Sequence, residues 1–247
     1  MVRTCDPYGD PRLVALYDRD NLDGPDHDFY RRLATDVSAR RILDLGCGTG
    51  RLTRSLANAD RIVIGIDPSA AMLNVARTAP GADQVTWILA DAGGLPGKDA
   101  ELALMTGNVA QVFIDDAQWT RTLTCLRKAL RQGGTLAFES RNPTAHAWLA
   151  WTKQNTFRRT DTPHGSLIRW VDNTRECSGT VTYDAHYIFE STDEHLVSHG
   201  KLRFRTAREI TEDLQRHGFC LQHLYGDWQH CPMTTTSPLM AFVATAR

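Results

Sequence analysis

The run Ile42-Leu-Asp-Leu-Gly-Cys-Gly-Thr-Gly-Arg51 constrains this chain more than any other stretch of it. Ile42–Leu45 reads as a buried strand, and glycines follow at positions 46, 48 and 50. Arg51–Asn58 continues as a helix, with Leu52 and Leu56 spaced to face a sheet. A strand that runs through a glycine-rich turn into a helix brings bare backbone up to a ligand, because no Cβ stands in the way.

The first 140 residues repeat that alternation of short apolar runs and helical stretches, as a parallel sheet covered on both faces requires. Further strands are expected at Arg61–Ile66, Val85–Leu89, Leu102–Met105 and Thr135–Glu139. Asp67-Pro-Ser69 opens a helix that runs to about Ala79, with Ser69 as N-cap and Pro80 as its stop. Ala117–Arg131 is an amphipathic helix closed by Gly133-Gly134. After Ser140 the character changes: β-prone stretches stand at 166–172, 180–190 and 195–205, and Val181–Phe189 alternates apolar with polar residues, as an antiparallel strand with one buried face does. A helix returns at Ala207–His217, Gly218 ends it, and strands follow at Phe219–Tyr225 and Leu239–Ala244. The expected architecture is α/β, a Rossmann-like doubly wound sheet with an antiparallel β insertion as substrate lid. Its units are an N-terminal cap and core over 1–140, the insertion over 141–205, and a C-terminal helix and strands over 206–247 that complete the core.

Composition excludes several classes. With 28 Lys+Arg against 29 Asp+Glu the net charge is −1, whereas a dedicated nucleic-acid binder is usually clearly basic. The N-terminus has no apolar segment of signal-peptide type, and the uncharged run from Trp228 to Ala246 holds two prolines and four threonines, a poor membrane span. Six cysteines show no CxxC pair and no regular spacing, so neither a disulfide framework nor a zinc site is expected and a reducing cytoplasm is the default. His217, His223 and His230 lie six and seven apart, which puts no metal-binding pair on one helix face. Assembly as a homodimer is compatible with all of this.

Two acids complete the glycine turn. Asp67, twenty-one residues beyond Gly46, stands at the end of the second strand, where a carboxylate can accept both ribose hydroxyls. Asp91 stands at the end of the third, placed to accept from the exocyclic amine of adenine. Together the three describe a pocket for an adenosine-containing ligand.

The segments Leu43-Asp-Leu-Gly-Cys-Gly-Thr-Gly50, Gly65-Ile-Asp67-Pro-Ser and Ala90-Asp91-Ala resemble the first three motifs of class I S-adenosylmethionine (SAM)-dependent methyltransferases. Leu16-Tyr-Asp18, Asp28-Phe-Tyr30 and the antiparallel insertion resemble the small-molecule branch, which includes sugar N-methyltransferases of natural-product pathways. The resemblance implies that Gly46 and Gly48 line the methionine portion of SAM, Asp67 the ribose, Asp91 with Ala92 the adenine, and that Asn108 lies near the sulfonium. Tyr17, Cys47, Arg51 and Pro68 join the expected cofactor contacts, Arg51 with a solvated helix-start position as its other reading. After the fourth strand Thr106-Gly-Asn-Val-Ala110 stands where adenine-N6 and protein-glutamine methyltransferases carry an Asn/Asp-Pro-Pro-Tyr type motif. The fourth strand usually opens with Asp, and here Glu101 stands nearby. The expected reaction is methyl transfer to N or O of a small molecule. Its rivals are a catalytically silent SAM-binding partner protein and a nucleotide-dependent oxidoreductase. A short-chain reductase would carry a TyrxxxLys pair, and no Tyr here has Lys four places on.

Ligands of open α/β sheets bind beyond the carboxyl ends of the strands. The acceptor is therefore expected near Arg141, under a roof of Tyr17, Tyr30 and the 155–205 ribbon, with Trp228 as a further contact. Eight of nine histidines and four of six tryptophans follow residue 140, which suits an aromatic-walled chamber with titratable groups. His146, seven residues past the fifth strand, is the expected general base for a hydroxyl or ammonium acceptor, with His186 and His199 next. Taken singly, each histidine is more often just an exposed residue.

Overall fold

A computed structural model describes residues 2–247. Period-two burial builds its main sheet. In the strand Arg41–Leu45, Ile42 faces one hydrophobic cluster while Leu43 and Leu45 face another across the sheet. In chain order the strands are β1 (Val2–Thr4), β2 (Arg41–Leu45), β3 (Ile62–Asp67), β4 (Val85–Leu89), β5 (Ala100–Met105) and β6 (Leu130–Arg141). After them come β7 (Arg158–Thr162), β8 (Gly165–Cys177), β9 (Thr180–Phe189), β10 (Glu194–Arg203), β11 (Phe219–Tyr225) and β12 (Leu239–Ala246). The seven-stranded sheet has the order β11-β12-β6-β5-β2-β3-β4. β2 to β6 run parallel, and β12 and β11 close one edge antiparallel.

The helices are α1 (Pro11–Asp20), α2 (Pro25–Asp36), α3 (Arg51–Leu56), α4 (Ala70–Thr78), α5 (Asp116–Ala129), α6 (Lys153–Thr156) and α7 (Ala207–Arg216). Phe29 and Ala34 of α2 and Leu52 and Leu56 of α3 cover one face of the sheet. Trp119, Leu123 and Leu126 of α5 and Ile210 and Leu214 of α7 cover the other. Ser69 caps α4 as expected, its hydroxyl accepting from Met72 N at 3.2 Å. Two boundaries differ from expectation. α5 ends at Ala129, and Gly133-Gly134 lies inside β6 instead of closing the helix. The reason is close approach: a Cβ on Gly134 would stand 2.9 Å from the carbonyl oxygen of Ala100, where the β5–β6 register shifts. Glu101, in β5, accepts from the backbone N–H groups of Arg40 and Arg41 at the start of β2.

The insertion is a second sheet, β1-β10-β9-β8-β7. Sequence did not reveal that the N-terminal β1 adds to it, parallel to β10. Its apolar face carries Leu167, Phe189 and Leu196, which pack on Leu13 and Leu16 of α1. Ion pairs fasten the same contact, Arg12 to Glu194 at 2.6 Å and Arg169 to Asp20. Arg19 also donates to the carbonyl of Asp161. The ribbon is thus seated on the N-terminal helix.

Candidate active site

All five parallel strands end on one edge of the sheet, so the residues that follow them form a row. In strand order the row reads Glu139 and Arg141 on β6, Asn108 after β5, Gly46–Gly50 after β2, Asp67 on β3 and Asp91 after β4. Neighbouring strands lie about 4.8 Å apart, which puts the end of β6 roughly 10 Å from that of β2. The expected cofactor residues and Arg141 thus share one edge, at opposite ends of it.

The glycine turn is left-handed at Gly46 (φ 77°), Gly48 (φ 56°) and Gly50 (φ 72°). A Cβ on Gly46 would strike Val109 at 2.5 Å, and one on Gly50 would strike the Trp87 ring at 2.2 Å, so both positions demand glycine twice over. At Gly48 a Cβ would meet only Tyr17 among the described residues, at 3.9 Å, which leaves bare backbone beside a tyrosine ring. Asp67 is 8% exposed and holds the turn: its two oxygens accept from Gly48 N and Ser69 N, each at 2.8 Å. Burial raises its pKa, while the two backbone donors pull the other way. A carboxylate has about four lone-pair sites, so two remain for hydroxyl donors. Pro68 sets the chain between Asp67 and the cap residue Ser69. Asp91 is exposed, with one oxygen taken by Gly93 N at 2.8 Å, and Ala92 behind it is buried in the core. Cys47 is half-buried, and burial pushes its thiol up, which makes it packing and not a nucleophile. Arg51 donates to the carbonyl of Asp18 on α1 at 2.7 Å, and its Nε has no partner among the described residues. Thr49 of the same turn donates to the Asp18 carboxylate.

Two buried carboxyls were missed by sequence reasoning. Asp44 accepts from Thr53 Oγ1 at 2.6 Å, and its Oδ1 has no partner among the described residues. Burial pushes its pKa up to about 6. An acid in the otherwise apolar run Ile42–Leu45 was the available signal. Glu139 is 4% exposed and accepts from the Tyr30 hydroxyl and from Asn108 N, the latter at 2.5 Å. Burial pushes it up to about 7. It holds Asn108 in a left-handed conformation (φ 63°) beside the glycine turn.

Arg141 projects from the last position of β6. Its Nη1 donates to Gln111 Oε1 at 2.8 Å and its guanidinium lies 5.6 Å from the centre of the Trp151 ring. Trp151 meets Tyr183 of β9 edge-on at 5.5 Å, and Tyr8 meets Tyr17 likewise at 6.3 Å. Burial lowers the pKa of Arg141, with Glu139, Tyr183 and Tyr8 near enough to act on its charge. Trp151, Tyr183 and Tyr8 thus stand around Arg141 at the β6 end of the edge.

Several expectations need correction. Tyr30 is no roof: it is 1% exposed and its hydroxyl is committed to Glu139. Trp228 packs on Phe29 and Tyr30 at ring distances of 5.6 and 5.9 Å, on the α2 side of the sheet. His186 and His199 are not over the site. Period two puts them on the ribbon face opposite Tyr183 and Tyr187, His186 stacked on Trp170 at 4.4 Å and His199 paired with Asp184 at 2.6 Å. His146 is exposed at the turn after β6 (φ 47°), its ring edge-on to Trp148 at 5.0 Å. The titratable groups at the β6 end of the edge are tyrosines, Glu139 and Arg141, with His186 and His199 on the far face of the ribbon.

The residues present suit a SAM-type cofactor on two observations. Bare backbone at Gly48 lies under Tyr17, and a buried carboxylate with spare acceptor capacity lies one strand away. Gly46, Gly48, Asp67 and Asp91 would hold it.

This strand order, with its antiparallel closing hairpin and glycine turn, is the fold of class I methyltransferases. Residues 42–134 match a family model described as a methyltransferase domain. The whole fold is similar to the CcbJ methyltransferase from Streptomyces caelestis, with a TM-score of 0.80 at 20% identity over 98% of this chain and 99% of that one. It is also similar to the sugar N-methyltransferase KedS8 from a Streptoalloteichus species, with a TM-score of 0.73 at 19% identity over 95% and 92% of the two chains. In sequence, a malonyl-acyl-carrier-protein O-methyltransferase of Pectobacterium atrosepticum is 33% identical over 134 residues, 53% of this chain and 51% of that protein. The chain spans about half the length of that curated relative. Among the described residues no helix is long and apolar enough to cross a membrane.

Proposed function

We propose that this protein is a SAM-dependent methyltransferase that moves a methyl group to N or O of a small molecule. The row of groups along the sheet edge carries the reading: cofactor-type residues from β2 to β4 and a walled, cation-bearing space at β5 and β6. SAM, when bound, supplies an electrophilic methyl group. The chain's own part is positional. Asp67 accepts from the ribose hydroxyls, Asp91 from the adenine amine, and the Asn108 turn, tied down by Glu139, shapes the passage to the acceptor. Tyr17 closes over Gly48 and excludes water. Similarity to a sugar N-methyltransferase favours an amine nitrogen as the acceptor atom. An acceptor arriving as ammonium or hydroxyl must give up a proton, and His146, exposed in the turn after β6, is the base we propose for it.

Calorimetry and turnover on one protein sample test this. S-adenosylhomocysteine should bind at micromolar concentration and NAD not at all. Asp67→Ala should weaken binding by about 1.5–3 kcal/mol, the worth of a charge-assisted hydrogen-bond pair. Tight NAD binding, or an unaffected Asp67→Ala variant, refutes the cofactor site. A pH–rate profile that His146→Asn leaves unchanged removes the base.

A further inference from the structure

We infer that the acceptor carries a carboxylate, and that Arg141 is the residue that recognises it. The inference rests on the methyltransferase reading above and names its substrate class. Three observations meet at Arg141. First, the guanidinium lacks an anion: among the described residues no carboxylate oxygen lies within 4.0 Å of it. Glu139, two residues back on the same strand face, is engaged by Tyr30 and Asn108. Second, its hydrogen bonding is half made. The one side-chain acceptor it has among the described residues is Gln111 Oε1, on Nη1, which leaves Nε and Nη2 without a protein partner among them. Those two N–H groups form the side edge of the guanidinium fork, whose spacing matches the two oxygens of a carboxylate. Third, the partner cannot help further. Gln111 is fully buried, its oxygen is spent on Arg141, and its Nε2 is a donor with no partner among the described residues. Among the described residues no side chain accepts from Arg141 Nε or Nη2, so the oxygens of a ligand can take both N–H groups.

A cation drawn out of water without a counter-charge is costly to keep, and an anionic ligand offsets that cost. Trp151 and Tyr183 beside it offer aromatic faces to a flat or apolar body. The position decides which carboxylate is meant. Arg141 lies two strands from the glycine turn, on the acceptor side of Asn108, so its partner is the acceptor and not the carboxylate of the cofactor.

The test uses benzoate and its neutral isostere benzamide, titrated calorimetrically into the full chain with and without S-adenosylhomocysteine. Benzoate should bind at least ten-fold more tightly than benzamide. Arg141→Met, which keeps the stem against Trp151, should abolish that preference, and Arg141→Lys should retain part of it. Gln111→Glu gives the guanidinium a counter-charge in place and should weaken benzoate at least ten-fold while raising the melting temperature, so a poorly folded Met variant leaves the question decidable. Equal binding of benzoate and benzamide by the wild type, or undiminished benzoate binding by Arg141→Met, overturns the assignment. So does a ten-fold loss of S-adenosylhomocysteine affinity in a folded Arg141→Met, which would make the cofactor the owner of the cation. Failure of the wild type to bind S-adenosylhomocysteine at all overturns the methyltransferase reading instead, and the benzoate preference is still read without it.

Discussion

Glu139 and Asp44 are carboxyls placed where ionisation is expensive, and their effect on stability can be worked out in sign. Both have folded pKa values above those of free carboxyls, about 7 for Glu139 and about 6 for Asp44. Between the free and the folded value the native state holds the extra proton, so the stability it contributes is full at low pH and is lost as pH rises. For Glu139 that window runs from about 4.3 to 7 and is worth on the order of 3 kcal/mol. Glu139→Gln should therefore flatten the fall in melting temperature between pH 4.5 and 7.5, which thermal scans across that range would show. A variant with the wild-type slope would mean that Glu139 is ionised throughout. Asp67 was legible because Gly65-Ile-Asp67-Pro-Ser punctuates the end of a strand. The Tyr30–Glu139 pair was not, since its partners are 109 residues apart and nothing local distinguishes either from a surface residue. Arg141 was expected at the site from its place after a strand; its missing counter-charge needed coordinates.

Among the elements, the strand–turn–helix from β2 to α3 was read almost to the residue, because glycine spacing and apolar runs are local signals. Gly50 shows how tightly that unit is built. Alanine there faces a left-handed backbone and a Trp87 ring atom at 2.2 Å. Gly50→Ala should cost at least about 2 kcal/mol, combining roughly 1 kcal/mol of backbone strain with overpacking. A shifted denaturant midpoint at constant slope would register it, whereas an unshifted one would mean that Trp87 swings away freely. The faces of the ribbon were harder to read. β9 alternates cleanly, yet its pattern does not say which side meets the core, and the histidines fell on the side away from α1. β1 escaped notice because three exposed residues carry no periodicity.

For the molecule as a whole, α1 is the part that touches everything. One end of it, at Asp18, takes hydrogen bonds from Thr49 and Arg51 of the glycine turn, and Tyr17 covers Gly48. Its apolar face is buried in the ribbon whose Tyr183 meets Trp151 beside Arg141. Two ligands that each order this helix cannot bind independently. Whatever order one of them imposes, the other no longer has to impose, so each should strengthen the other by the same factor. With S-adenosylhomocysteine and benzoate as the pair, that factor should be five-fold or more in either order of addition. Asp18→Ala, which removes the side-chain tie to Thr49 and neither binding site, should bring it toward one. Unequal factors would show that the titrations are not at equilibrium, and a factor of one in the wild type would make the helix a mere spacer. A helix shared in this way lets either ligand arrive first, because whichever lands stiffens the floor on which the other must settle.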